Sequence, residues 1–142
     1  MTTCLFCRII SGDEAAQTVF RDDVAVAFLD IRPLFAGHTL VVPLDHHNTL
    51  ADLPPESIDP LFARVRAMSA AMEAFGAEGS FVAMNNTVSQ SVPHLHVHVV
   101  PRTKGDGLRG FFWPRTQYDS EEHMADTAST LGRLYDSERF PG

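Results

Sequence analysis

The apolar positions of the first half of the chain fall in short blocks. Thr18 to Asp30 reads as two short strands around a turn at Asp22-Asp23, and Val24-Ala25-Val26-Ala27-Phe28-Leu29 is apolar and partly β-branched, as in a buried strand. Pro33 to Gly37 reads as a loop, and His38-Thr39-Leu40-Val41-Val42-Pro43 as a second buried strand closed by proline. From Pro55 to Phe75 the period changes. Leu61, Val65, Met68, Met72 and Phe75 recur at helical spacing, with a proline start at Pro54-Pro55, an early acid at Glu56 and a stop at Gly76. Ser80 to Asn85 is a further strand, Asn86 to Ser91 a polar loop, and Val92 to Pro101 another apolar-rich segment. Ser120 to Tyr135 has helical character, with Ser120 as N-cap and Glu121-Glu122 at the positive end of the dipole. The expected architecture is α+β: an antiparallel β-sheet with one long helix packed on it.

Composition narrows the class. A chain of 142 residues with 44% hydrophobic and 20% charged residues supports one domain with a real core. The expected organisation is a single domain over 1–142, with 102–142 as an extension of loop plus helix. Eleven basic residues against 18 acidic ones give a net charge of -7, which disfavours a general nucleic-acid coat. A small phosphate ligand needs only a local group of donors and stays open. No run approaches the roughly 20 apolar residues that span a membrane, and Met1 to Gly12 lacks the pattern of a targeting segment. Cys4 and Cys7 sit too close together for a secreted disulfide framework, so the expected location is cytoplasmic.

The chemistry concentrates in His94-Leu95-His96-Val97-His98-Val99-Val100-Pro101. In a strand His94, His96 and His98 share one face, and Leu95, Val97 and Val99 enter the core from the other. Three imidazoles along an apolar strand cost burial energy unless each is used or partnered. Two residues advance a strand by roughly 6.6 Å, so all three cannot easily converge on one metal ion, whose bonds to nitrogen are about 2 Å. An adjacent pair could, which leaves a catalytic zinc on His94 and His96 as one alternative. The spacing favours divided roles. If His96 donates one ring N–H to a backbone carbonyl, its other nitrogen presents a lone pair, and neutral imidazole is a good nucleophile near pH 7. His98 is then placed to hydrogen-bond a phosphate oxygen.

This segment matches the histidine triad pattern at every position. Gln90-Ser91-Val92-Pro93, Cys4-Leu5-Phe6-Cys7-Arg8-Ile9-Ile10, Phe28-Leu29-Asp30-Ile31-Arg32-Pro33 and Gly37-His38-Thr39-Leu40-Val41-Val42-Pro43 also resemble that family's segments, in its order. The chain thus resembles the histidine triad (HIT) family, in a Hint-like branch with an N-terminal Cys-x-x-Cys. The resemblance implies a HIT-like fold and cleavage of a purine nucleotide at its α-phosphate. His96 forms a nucleotidyl-histidine intermediate that water hydrolyses, His98 binds the phosphate and helps to protonate the leaving group, and His38 stands behind the triad. Ser91 and Gln90 line the oxyanion site with nearby backbone N–H groups, and Asn86 faces the phosphates. Asp30 accepts the ribose hydroxyls, and Phe6 and Ile9 pack on the base. The substrate is a nucleoside phosphoramidate or a dinucleoside polyphosphate. The alternatives are a dinucleoside polyphosphate phosphorylase, with phosphate as acceptor, and a zinc-containing nucleotide-binding protein with little turnover. Family members are commonly homodimers.

Read alone, Cys4-x-x-Cys7 fits a redox pair, half a zinc site or two buried thiols. The resemblance implies a structural zinc held by Cys4, Cys7, His46 and His94, with the adjacent His47 as competitor for His46. Three features depart from the family. Ser89 stands where glycine is usual, the loop from Asn86 is shorter than in the Hint branch, and about 40 residues follow the triad. Those residues include Arg102, Lys104, Arg109 and Arg115, a local basic excess suited to steering a polyphosphate, and a Trp113-Pro114 that resembles a Hint-branch Trp-Pro. His123 reads as an ordinary helix-surface residue.

Overall fold

The structure is a computed structural model that describes residues 3–108 and 115–138. They fall into two compact units, Met1–Asp106 and Gly107–Gly142. Arg109, Phe111, Phe112, Trp113 and Pro114, and with them most of the aromatic-basic cluster, lie outside the described residues.

The first unit begins with a short helix, α1 (Leu5–Ser11), where the sequence pattern had suggested no element. Its signals are local. The Cys4 side chain caps the helix by accepting from the Cys7 N–H, and Gly12 closes it with a φ of 88°. The strands β1 (Thr18–Arg21) and β2 (Ala25–Leu29) flank the expected turn, where the Asp22 carboxylate accepts from the Val24 and Ala25 N–H groups. Next come β3 (Thr39–Pro43), a 3-10 turn at Leu50–Asp52, α2 (Pro55–Ala74), β4 (Gly79–Ala83) and β5 (Val97–Arg102). All five strands form one antiparallel sheet in the order β1-β2-β3-β5-β4.

Register assigns the two faces. Val41 pairs with Ala27 and Val97, and Thr39 with Leu29 and Val99. Ala27, Val41, Val97 and Val99 turn toward α2 and join Leu61, Val65, Met68 and Met72 in one buried cluster. Leu40 pairs with Phe28 and His98, and these side chains face the other way. There Val26, Phe28, Leu40 and Val42 form a second cluster with Phe6, beside the half-buried Cys4, Ile9 and Ile10. The sheet is thus covered by α2 on one face and by the N-terminal segment on the histidine face.

Two expectations need correction. Phe75 is not part of the buried stripe: α2 ends at Ala74, and Phe75 is 69% exposed. The chain turns there through Gly76, whose φ of 112° is natural only for glycine. The ladder of the triad strand also starts later than the pattern implied. His94 and His96 precede β5, because the Leu95 N–H is taken by the His47 carbonyl and the His94 N–H by the Val92 carbonyl.

The second unit contains α3 (Glu121–Glu138), three residues longer at its C-terminus than the pattern suggested. The Ser120 hydroxyl accepts the His123 N–H, as expected of an N-cap. None of its described residues is buried. No helix among the described residues is long and apolar enough to cross a membrane.

Candidate active site and metal centre

The three triad histidines meet three different environments. His94 is fully buried, His96 is 3% exposed and His98 is half-buried. Leu95, Val97 and Val99 are fully buried on the opposite side, as alternation requires.

His96 is fixed by its own backbone. Its Nδ1 lies 2.7 Å from the His94 carbonyl oxygen, which can only accept. Nδ1 therefore carries the proton and Nε2 keeps the lone pair. Phe6 packs T-shaped on the ring, with centroids 5.0 Å apart and planes at 89°. The His98 ring lies on another side at 5.1 Å.

His98 is in the opposite tautomer, and the chain of bonds that sets it starts in the loop before β3. The Leu34 N–H donates to His38 Nδ1 at 3.0 Å, so the His38 proton sits on Nε2. That Nε2 lies 2.9 Å from His98 Nδ1 and donates to it. Neutral His98 therefore presents an N–H at Nε2. Burial is the main cause that lowers the His98 pKa to about 4, with His96 and His38 adding to it and Asp30 opposing. Burial also lowers the pKa of His38, against the pull of Asp30. Two adjacent imidazoles thus offer a lone pair and a donor side by side.

Asp30 sits at the end of β2. One carboxylate oxygen accepts the Arg32 N–H at 2.8 Å, and the other lies 3.7 Å from His38 Nε2. Asp30, His38 and His98 bring three potential metal-ligand atoms together. The proton on His38 Nε2 makes that group a hydrogen-bonded relay rather than a ligand set.

The loop residues take structural bonds. Gln90 uses both ends of its amide: Oε1 accepts the Thr87 N–H at 2.9 Å, and Nε2 donates to the Asn48 carbonyl at 2.6 Å. Asn86 accepts the Leu50 N–H at 2.8 Å. Ser91 is exposed and lines a hollow with Cys4, Cys7 and His46. Thr87 and Ser89 have φ of 70° and 61°, so the loop holds two non-glycine residues in the left-handed region. Ser89 occupies the position where the resemblance expects glycine. Phe6 is 5% exposed and is engaged with His96 and Phe28, and Ile9 packs in the same cluster. Arg102, from the basic segment, forms a two-point ion pair with Asp106 at 2.7 and 3.0 Å, so part of that local charge is already matched. His123 is exposed, with its ring nitrogen accepting the Asp119 N–H.

A second group lies beside the triad. Ligand atoms of Cys4, Cys7, His46 and His94 all fall within 4.8 Å of one another. His94 Nδ1 is 3.5 Å from both sulfurs, and His46 Nδ1 is 3.2 Å from Cys7 Sγ. A tetrahedral ion with bonds of about 2.0–2.3 Å holds neighbouring ligand atoms roughly 3.3–3.8 Å apart, so this spacing fits zinc. The outer nitrogens are fixed as well: His94 Nε2 donates to the Pro43 carbonyl at 2.9 Å, and His46 Nε2 meets Asn48 Oδ1 at 2.8 Å. Burial, with Cys4 adjoining, raises the Cys7 thiol to about 11. A bound cation reverses that bias toward thiolate. His47, the competitor, is absent from the group. It lines a separate hollow with Asp23, Asp45 and Glu56. His96 is absent as well, so a zinc shared by His94 and His96 does not fit this arrangement.

The model of the HIT domain matches residues 11–105. The chain belongs to the HIT domain family. This HIT chain is 32% identical over 125 residues to the adenosine 5'-monophosphoramidase of Schizosaccharomyces pombe, covering 87% of this chain and 92% of that one. Among solved structures it resembles a HIT family member from Bacillus subtilis, with a TM-score of 0.83 and 31% identity over 93% of this chain and 96% of that one. It also resembles a Zn-bound histidine triad family protein from Mycobacterium smegmatis, with a TM-score of 0.70 and 38% identity over 96% and 98% of the two chains.

Proposed function

We propose that this HIT protein is a nucleotide hydrolase that cleaves at the α-phosphate through a covalent intermediate on His96. The observation that carries the reading is the Nδ1 bond of His96 to the His94 carbonyl, which reserves Nε2 for attack. In the first step a bond forms between Nε2 and the α-phosphorus while the bond to the leaving group breaks. The leaving group keeps the electron pair and takes a proton from solvent. In the second step a water oxygen bonds to phosphorus, the Nε2–phosphorus bond breaks with its electron pair returning to Nε2, and the water releases a proton to solvent. The His94 carbonyl, still bound to the Nδ1–H, stabilises the cationic ring of the intermediate.

The Nε2–H of His98 hydrogen-bonds a phosphoryl oxygen as charge develops. A pKa near 4 makes a standing His98 cation rare at neutral pH, so this bond is its main contribution. Asp30 receives the ribose hydroxyls through the carboxylate oxygen not committed to Arg32. Gln90 and Asn86 act by holding the loop that carries Ser91. Likeness to the phosphoramidase of Schizosaccharomyces pombe favours a purine nucleoside phosphoramidate over a dinucleoside polyphosphate.

We assign a structural zinc to Cys4, Cys7, His46 and His94. When bound it ties the N-terminus to the triad segment, and no chemical step passes through it. We also infer a cytoplasmic location and a homodimer, the latter supported by Val82, 42% exposed on the edge strand β4, in a shallow groove that it lines with Phe62, Arg66, Ala70 and Glu73 of α2.

The test is hydrolysis of an adenosine phosphoramidate, with mass spectrometry of quenched enzyme. The parent is expected to turn over and to carry one nucleotidyl group on His96. His96→Ala is expected to lose at least about a thousandfold in kcat/KM. Equal turnover by His96→Ala would end the covalent reading.

A further inference from the structure

We propose that Phe6 is a positioning residue that couples the cysteine–histidine group to the tautomer and pose of His96. The inference deepens the reading of His96 as nucleophile and rests on it. Phe6 lies on α1 between its cap, Cys4, and Cys7, so the residues that enter the metal group and the residue that packs on the nucleophile fall within about one helical turn. The Phe6 ring is T-shaped on His96 at 5.0 Å and lies 6.0 Å from the His94 ring at 66°. Phe28 supports it from the sheet at 5.3 Å. With Phe6 only 5% exposed, the ring has little freedom to shift without α1 shifting too.

A second path reaches the same imidazole. His94 joins the group through Nδ1, is anchored to the Pro43 carbonyl through Nε2, and accepts the His96 proton with its own carbonyl. An ion that draws Cys4, Cys7, His46 and His94 together therefore fixes both the carbonyl that selects the His96 tautomer and the ring that sets its pose. An α1 released from the group leaves His96 free to turn away from the His94 carbonyl. Nε2 then gains the proton in part of the population, and those molecules have no lone pair aimed at phosphorus. Nucleophilic chemistry is sensitive to displacements of this size: about 1 Å costs on the order of a hundredfold.

The experiment uses the full chain and reads His96 directly by its imidazole nitrogen resonances, alongside single-turnover nucleotidylation. The zinc-loaded parent is expected to show one tautomer, protonated at Nδ1. Phe6→Leu, which keeps apolar bulk but loses the ring, is expected to show a mixture even with zinc bound. Its nucleotidylation at saturating nucleotide is expected to fall about 10- to 100-fold. The chelator-stripped parent is expected to show the same mixture, and zinc alone to restore one tautomer only where Phe6 is present. This second arm stands even if Phe6→Leu folds poorly. A single unchanged tautomer in both Phe6→Leu and the stripped parent overturns the proposal. A parent that shows the expected resonances but forms no nucleotidyl-histidine instead overturns the catalytic reading and leaves the coupling supported.

Discussion

At the scale of single residues, the site is an exercise in fixing protons. Two histidines on one face differ in hydrogen-bonding role because different backbone groups hold them: the His94 carbonyl accepts from His96 Nδ1, and the Leu34 N–H sets the His38 tautomer that donates to His98. The triplet and its shared face were legible in the sequence, because alternation alone gives them. The tautomers were not, since they depend on Leu34 and on a bent entry into β5. The depressed His98 pKa predicts a pH dependence. The folded state keeps this ring neutral down to about 4, whereas the unfolded chain binds a proton near 6.5. Between those values the unfolded state holds more protons, so stability is full above about 6.5 and declines as pH falls toward 4. Urea midpoints across that window are expected to slope less in His98→Gln than in the parent; identical slopes would show that His98 does not carry the dependence. The loop gives a second prediction. Ser89 holds a φ of 61° that costs an L-residue of the order of 1 kcal/mol, so Ser89→Gly is expected to raise stability by about 0.5–1 kcal/mol. A lower denaturation midpoint in that variant would contradict this account of the strain.

At the scale of elements, legibility follows length and repetition. The strand–turn–strand around Asp22 and the helix α2 were readable because period, Asx turn and proline start all agree. α1 was not readable from periodicity, because seven residues give barely two turns. Its identity lies in the Cys4 and Gly12 caps and in the ligands and ring it presents. Phe75 shows the reverse error: it keeps the helical spacing but lies one residue past the end of α2, where it is free of the core. It nevertheless matters to its neighbour, since a Cβ built on Gly37 would lie 3.1 Å from the Phe75 ring, at a φ of 101°. The stripe that does enter the core is the element on which the site rests, for it backs Val97 and Val99 on β5. Leu61, 1% exposed, is the best test of that support. Leu61→Ala is expected to cost about 2–5 kcal/mol in chemical denaturation. A loss below about 1 kcal/mol would mean that α2 can collapse onto the sheet without it.

At the scale of the molecule, the metal group links the chain's beginning to its active segment. Cys4 caps α1 and Cys7 lies on it, His46 follows β3, and His94 precedes β5, so an ion held by all four would close a loop of about 90 residues. The sequence indicated the four ligands only through resemblance, because Cys-x-x-Cys carries half a site and the adjacent His46 and His47 are indistinguishable by spacing. Three-dimensional placement separates them: His46 turns to Cys7, while the His47 carbonyl is spent on the Leu95 N–H. An ion that binds the folded arrangement far better than the open chain is expected, at a hundred times its dissociation constant, to add about 2.7 kcal/mol of stability, with zinc as the ion to test. The gain should appear as a rise in melting temperature of zinc-loaded over chelated protein, and should vanish in Cys7→Ser. Because zinc affinity needs thiolates, the difference between loaded and chelated protein should shrink on acidification, as protons compete for the sulfurs. If Cys7→Ser responds to zinc as the parent does, the ion is held elsewhere, and the packing of Phe6 on His96 and Phe28 remains as a tie between the N-terminal segment and the triad.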